Sequence, residues 1–100
     1  MRQKITVAEH QVRVTLSGSI YAEDATRLRK SLLELMAEGH NTLIIDLKDA
    51  DYIDSAGLGT LVAIHKRARE NGGGVIIQGL NGFVKELLEL VRLDKVFEIQ

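Results

Sequence analysis

Residues 43–59 read Leu43-Ile44-Ile45-Asp46-Leu47-Lys48-Asp49-Ala50-Asp51-Tyr52-Ile53-Asp54-Ser55-Ala56-Gly57-Leu58-Gly59. The first five form an apolar run broken only by Asp46, which suits a strand. Leu58, Leu61, Val62 and His65 then recur at helical spacing. Ser55 lies where a short loop enters that helix. Asp54 or Ser55 would cap it by offering a side-chain oxygen to a free amide of the first turn. The same position would tolerate a phosphate on Ser55, because a helix N-terminus carries about half a positive charge and several unpaired N–H groups. Residue type and position leave both readings open. Gly57 and Gly59 place no bulky side chain beside the hydroxyl. Gly59 otherwise lacks a reason, since glycine inside a helix costs about 1 kcal/mol relative to alanine.

Upstream, Ile5 and Val7 alternate with Lys4 and Thr6, and Val12, Val14 and Leu16 alternate with Arg13 and Thr15. Two period-2 segments joined around Glu9-His10-Gln11 predict an antiparallel hairpin with one buried face. Ser17-Gly18-Ser19 signals a turn that ends the second strand. Over residues 23–38, Ala25, Leu28, Leu32, Leu35 and Met36 take one helical face. Glu23, Asp24, Arg27, Lys30, Glu34 and Glu38 take the other, and Gly39 is a natural stop.

Downstream, residues 55–71 are helical and end at Asn71-Gly72-Gly73-Gly74. Val75-Ile76-Ile77 is a second continuous apolar strand. Such runs predict a sheet covered on both faces. Strand–helix–strand of this length predicts a right-handed crossover and parallel pairing. Val84, Leu87, Leu88 and Val91 mark a third helix, and Val96-Phe97-Glu98-Ile99 adds a short edge strand. The expected fold is α/β, one domain over residues 1–100, ordered β-β-α-β-α-β-α-β. It has a mixed sheet, an antiparallel first hairpin and helices packed on the sheet. With strand 12–17 parallel to 43–47, the loop Gly18-Ser19-Ile20-Tyr21 emerges beside Ser55, at the carboxyl ends where open α/β sheets place their sites.

The bulk numbers narrow the function. One hundred residues with 45% hydrophobic and 27% charged content describe an ordinary globular chain. Cysteine is absent, which excludes disulfides and thiolate metal sites. A net charge of −1 gives no field for nucleic acid or an anionic membrane. No apolar run approaches the ~20 residues of a membrane span, and no signal peptide is evident, so a cytoplasmic protein is expected.

Catalytic and cofactor motifs fail on inspection. Asp46, Asp49, Asp51 and Asp54 invite a metal, but Thr60 stands where a calcium loop starting at Asp49 needs glutamate. Leu43–Asp46 resembles a nucleotide-binding strand without the phosphate loop that must accompany it. Gly57-Leu58-Gly59 is not continued by glycine at 62, and position 53 is isoleucine where a hydrolase elbow needs glycine. His65 falls on an apolar stripe and reads as a packed, hydrogen-bonded histidine. The chain is expected to hold no catalytic residue, cofactor or metal.

Asp54-Ser55-Ala56-Gly57-Leu58-Gly59, following the strand Leu43–Leu47 and Tyr52-Ile53, resembles the signature of the STAS domain family. Within it, the match is to bacterial anti-anti-sigma factors, also called anti-sigma factor antagonists. It extends over the hairpin, the Gly18 loop, the Gly72–Val75 turn and Leu93-Asp94-Lys95-Val96-Phe97. The resemblance implies a protein switch. The unphosphorylated antagonist, a monomer when free, binds an anti-sigma factor that is a GHKL-type serine kinase, and so frees a sigma factor. The kinase phosphorylates the motif serine, here Ser55, and a PP2C-type phosphatase reverses this. The implied partner-binding rim comprises Ser19, Ile20, Tyr21, Asp51, Tyr52, Ile53, Asp54, Ser55, Ala56, Gly57, Leu58 and Gly59. One departure stands out. The family often carries Gly-x-Leu-Asp in the first rim loop, whereas this chain has Gly18-Ser19-Ile20-Tyr21, which removes an acidic contact toward the serine. Alternatives within the family are a binding or assembly module, as in stressosome-like or transporter-associated complexes, and a nucleotide-sensing domain.

Overall fold

A computed structural model describes all residues, Met1–Gln100. The elements are β1 (Arg2–Val7), β2 (Gln11–Ile20), α1 (Ala22–Ala37), β3 (Thr42–Ile53), α2 (Ser55–Glu70), β4 (Gly74–Gln78), α3 (Gly82–Leu90), a 3-10 turn (Leu93–Lys95) and β5 (Glu98–Ile99). They form one five-stranded sheet in the order β1-β2-β3-β4-β5. β1 is antiparallel to β2, and every later pairing is parallel. The α/β architecture, the mixed sheet and the first hairpin are as the periodicity predicts.

The sheet is covered on one face, which corrects the expectation of cover on both. Its order never reverses between β2 and β5. Right-handed crossovers taken in one direction place α1, α2 and α3 on the same side. Leu28 and Leu32 of α1, Leu61 and Ile64 of α2, and Val84 and Leu88 of α3 accordingly share one core with Val14, Ile45 and Ile77. On the other face Arg13, Ile44, Ile76 and Glu98 lie side by side in register. Polar side chains bridge this face. Arg13 donates to Gln78 (3.1 Å), Gln78 to Gln100 (3.0 Å), and Gln100 to Glu98 (3.2 Å). Ile44 is only 7% exposed there because its in-register neighbours crowd it. A central strand can therefore be apolar throughout without a second layer of helices.

Both strands that lead to the candidate site outrun their predicted ends. β2 continues through Gly18, which supplies a left-handed φ of +79°, and stops at buried Ile20. β3 runs to Ile53. Its register against β2 slips twice, between Thr15 and Ser17 and between Gly18 and Ser19, each time with an extra residue on β3. Asp46 supports the first bulge by accepting the Lys48 amide (2.9 Å). The bulges leave Leu47, Ala50 and Ile53 buried at intervals of three, a pattern that masks a strand.

At the opposite end, Gly73 sits where an added Cβ would fall 1.8 Å from the Asn41 carbonyl oxygen. His65 accepts the Val75 amide at Nδ1 (3.0 Å) and meets Phe97 edge-on, 5.2 Å between ring centres. It is thus the packed histidine that its stripe predicts. Burial, and secondarily the charge of Arg69, holds its pKa below the usual 6.5. The folded state therefore favours the neutral ring, while the unfolded chain takes up a proton as pH falls through that value. This stability is full above the unfolded pKa and is lost as pH falls toward the folded one. Urea melts of wild type and His65→Gln at about pH 7.5 and 5.5 should show the larger acid loss in wild type. Equal losses would remove His65 as the cause.

Candidate functional site at the carboxyl ends of the parallel strands

Ser55 is the first residue of α2, and Asp54 is its N-cap. One carboxylate oxygen of Asp54 accepts the Gly57 amide at 2.9 Å. The capping bond is thereby assigned to Asp54. The Ser55 side chain is exposed and is not needed for it. Two residues suited the cap by type, and the tertiary structure decides between them.

The decisive contact is with the neighbouring strand. The Asp54 amide donates to the Ile20 carbonyl (3.1 Å), and the second carboxylate oxygen of Asp54 accepts the Ala22 amide (3.1 Å). One residue thus caps α2 and ties the β2–α1 junction to the serine. The departure at Tyr21 leaves this junction braced, because the acidic group reaches across from the serine side. Asp24 braces it from within α1. It accepts the Tyr21 amide (2.9 Å) and Arg27 (2.7 Å). The Tyr21 hydrogen bond foremost, and then Arg27, hold its carboxyl below the usual carboxylate range against the opposing effect of burial. Periodicity places Asp24 on the polar face of α1, yet it is buried. Its signal was its position, third in the helix, where an acid can reach back to the N-cap amide.

The rim residues divide by exposure. Tyr21, Asp51, Tyr52, Ser55, Ala56 and Gly59 are exposed, and Ser19, Asp54 and Leu58 are half-buried. Ile20 and Ile53 are 1% exposed, so they form the floor of the rim and not its contact surface. Gly57 is buried as well. A Cβ there would meet Ile53 Cγ1 at 2.6 Å and Ile20 Cγ2 at 3.2 Å, so glycine lets α2 sit directly on the strand ends. At Gly59 an added Cβ meets nothing within 4 Å. Packing therefore does not require glycine at this position. Gly57→Ala is expected to destabilise by about 1–2 kcal/mol, overpacking exceeding the gain in helix propensity. Gly59→Ala should stabilise by up to about 1 kcal/mol. Thermal melts giving both variants the same sign would contradict this division.

No cavity opens at this rim. The largest cleft, about 510 Å³, lies at the other end of the sheet and is lined by Thr42, His65, Arg69, Gly73 and Phe97 among others. The other two pockets also avoid residues 18–21 and 51–59. A projecting hydroxyl on an open surface suits a macromolecular partner better than an enclosed small molecule. Phe83 of α3 joins the rim by stacking on Tyr52, 5.4 Å between ring centres. Periodicity gives no signal for it, because Phe83 stands beside the stripe Val84, Leu87, Leu88, Val91 and not on it.

The STAS domain family pattern matches residues 3–100. The chain belongs to the STAS domain family. It is 32% identical over 91 residues to the anti-sigma-B factor antagonist of Bacillus subtilis (strain 168), covering 91% of this chain and 83% of that protein. The crystal structure of the Thermotoga maritima protein tm1081 superposes with a TM-score of 0.89 at 26% identity, covering 97% of this chain and 84% of that one. The Bacillus cell fate determinant SpoIIAA in its phosphorylated form shares the fold, with a TM-score of 0.81 at 15% identity over 99% of this chain and 91% of that one. No helix is long and apolar enough to cross a membrane.

Proposed function

We propose that this chain is an anti-sigma factor antagonist whose binding is switched by phosphorylation of Ser55. The observation that carries the reading is the separation of duties at the start of α2. Asp54 makes the structural bonds, which leaves the Ser55 hydroxyl exposed beside the unobstructed Gly59. The name of the Bacillus subtilis relative supports it. So does the existence of SpoIIAA, a protein of the same fold, in unphosphorylated and phosphorylated forms.

The unphosphorylated chain, a monomer acting in the cytoplasm, binds an anti-sigma factor that is a GHKL-type serine kinase and displaces the sigma factor. The kinase transfers the γ-phosphoryl group of ATP to Ser55. A bond forms between Oγ and phosphorus, the bond from phosphorus to the bridging oxygen breaks, ADP leaves, and the hydroxyl proton passes to a base of the kinase. A PP2C-type phosphatase hydrolyses the ester. This chain is the substrate in both steps and contributes no catalytic group. Incubation with the cognate kinase and ATP, followed by mass spectrometric mapping, should place one phosphate on Ser55 and none on the Ser55→Ala variant. Undiminished incorporation in that variant would overturn the assignment.

A further inference from the structure

The cleft of about 510 Å³ at the amino ends of the parallel strands takes no part in the site around Ser55. Its hydrogen-bonding groups divide into those already paired and those still free. The backbone is paired. The amides of Gly72, Gly73 and Gly74 donate to the carbonyls of Arg69, Ala68 and Asn41, and the Val75 amide donates to His65 Nδ1. Two side chains of α2 remain free. Because Nδ1 accepts the Val75 amide, the neutral ring carries its proton on Nε2. No acceptor in the chain takes that proton, and no buried side-chain nitrogen lacks a partner, so Nε2–H is open to solvent. Arg69 is exposed and enters no salt bridge. The two side chains lie over one spot. Arg69 Cδ and His65 Cε1 are 3.2 and 3.5 Å from the point where a Gly74 Cβ would stand.

The charges around the cleft set the class of ligand. Arg69, His65 and Glu98 are the ionisable side chains that line it. Burial, and secondarily Arg69, holds the His65 pKa below its ordinary value, which favours the neutral donor. The Glu98 carboxylate accepts the Gln100 side-chain amide at 3.2 Å. Just outside, Lys66, Arg67 and Glu70 of α2 are exposed, and Lys95 is matched by Asp94 at 4.0 Å. One guanidinium thus faces the cleft with one carboxylate in reach. α2 ends here, so its dipole adds partial negative charge. A phosphate dianion would meet Glu98 and that dipole, and would find none of the amides of residues 72–75 free. A singly charged carboxylate matches one guanidinium fork and one N–H. A metal ion lacks ligands, since no three His, Asp or Glu side chains converge. The remaining wall is apolar, with Ile76 half-buried and Val96 42% exposed.

We propose that this cleft binds an organic monocarboxylate, its carboxylate held by Arg69 and His65 Nε2–H and its apolar part laid on Ile76 and Val96. The inference does not depend on the reading of Ser55. It assigns a small-molecule site to the last turns of α2, the helix that Ser55 begins.

The test is a titration of the isotope-labelled chain with hexanoate and with benzoate, followed by amide NMR shifts. Saturable shifts are expected at Gly73, Gly74, Val75 and Phe97, with none at Tyr21 or Ser55. Arg69→Ala should weaken binding about tenfold or more. Arg69→Lys keeps the charge and loses the fork, so its affinity should fall between the two. Both variants change an exposed side chain and should melt like wild type; should Arg69→Ala melt early, Arg69→Lys carries the comparison. Hexanamide, which has the same apolar body without the charge, should bind about tenfold more weakly than hexanoate. The absence of a saturable shift with either carboxylate would overturn the proposal, as would binding that both Arg69 variants leave unchanged. Inorganic phosphate at matched ionic strength, or hexanamide, binding as tightly as hexanoate would overturn the assignment to a monocarboxylate.

Discussion

Ser55→Asp is expected to lower affinity for the cognate anti-sigma factor by roughly 30- to 1,000-fold while leaving the fold as stable as before. The two effects separate because the charge is placed in two different environments. In the free domain, residue 55 is exposed at the start of α2. A negative charge there gains about 0.3–1 kcal/mol from the helix dipole. Repulsion from a carboxylate ~8 Å away in water costs only ~0.5 kcal/mol. These terms offset each other. In a complex the same charge loses its water. An imperfectly paired buried ion costs several kcal/mol, of which roughly 2–4 corresponds to the stated loss at tenfold per 1.4 kcal/mol. A phosphate, with about −1.5 to −2 charge, should act at least as strongly. Ser55→Ala should bind like wild type, since Asp54 and not Ser55 caps the helix. Calorimetry and thermal melts on the three proteins check both halves. Unchanged affinity for the Asp variant, or a loss that tracks unfolding, would contradict this account.

The sequence disclosed the strand order and the meeting of the two loops because both follow from local rules. Period-2 segments give the hairpin, and each strand–helix–strand unit gives a parallel neighbour. The details of the site depended on contacts between distant segments. Asp54 and Ser55 satisfy the same capping preference, and only the Ile20 carbonyl and the Ala22 amide draw Asp54 into the role. The bulges in β3 shift burial to residues 47, 50 and 53, so the last third of the strand carries no alternating signal. Ile44 and Ile76 suggested a second helical layer, yet a run of apolar residues does not say what covers it. Phe83 meets the rim only when α3 brings it against Tyr52. Its own helix uses other residues to bury itself.

Asp54→Ala is expected to destabilise the domain by about 2–3 kcal/mol, which for a chain of this size lowers Tm by roughly 8–20 °C. About 1 kcal/mol is the lost cap of α2. The remainder is the charge-assisted hydrogen bond to the Ala22 amide, worth ~1.5–3 kcal/mol in general and placed low in that range because the contact is exposed. Asp54→Asn separates the two functions. Its single carbonyl oxygen can still accept the Gly57 amide, but its NH2 group then confronts the Ala22 amide, donor against donor. The Asn variant should therefore keep the helix start and release the β2–α1 junction, at a cost of about 1–2 kcal/mol. Its serine is intact and its helix is capped, so a pure capping account predicts normal phosphorylation. If Asp54 instead fixes Tyr21 and Ser55 as one surface, the variant should show a raised KM for phosphorylation and weaker binding of the anti-sigma factor. Those measurements on Asp54→Asn, set beside the stability loss of Asp54→Ala, decide whether the acid before the serine is only a cap or also the brace that holds the recognition surface together.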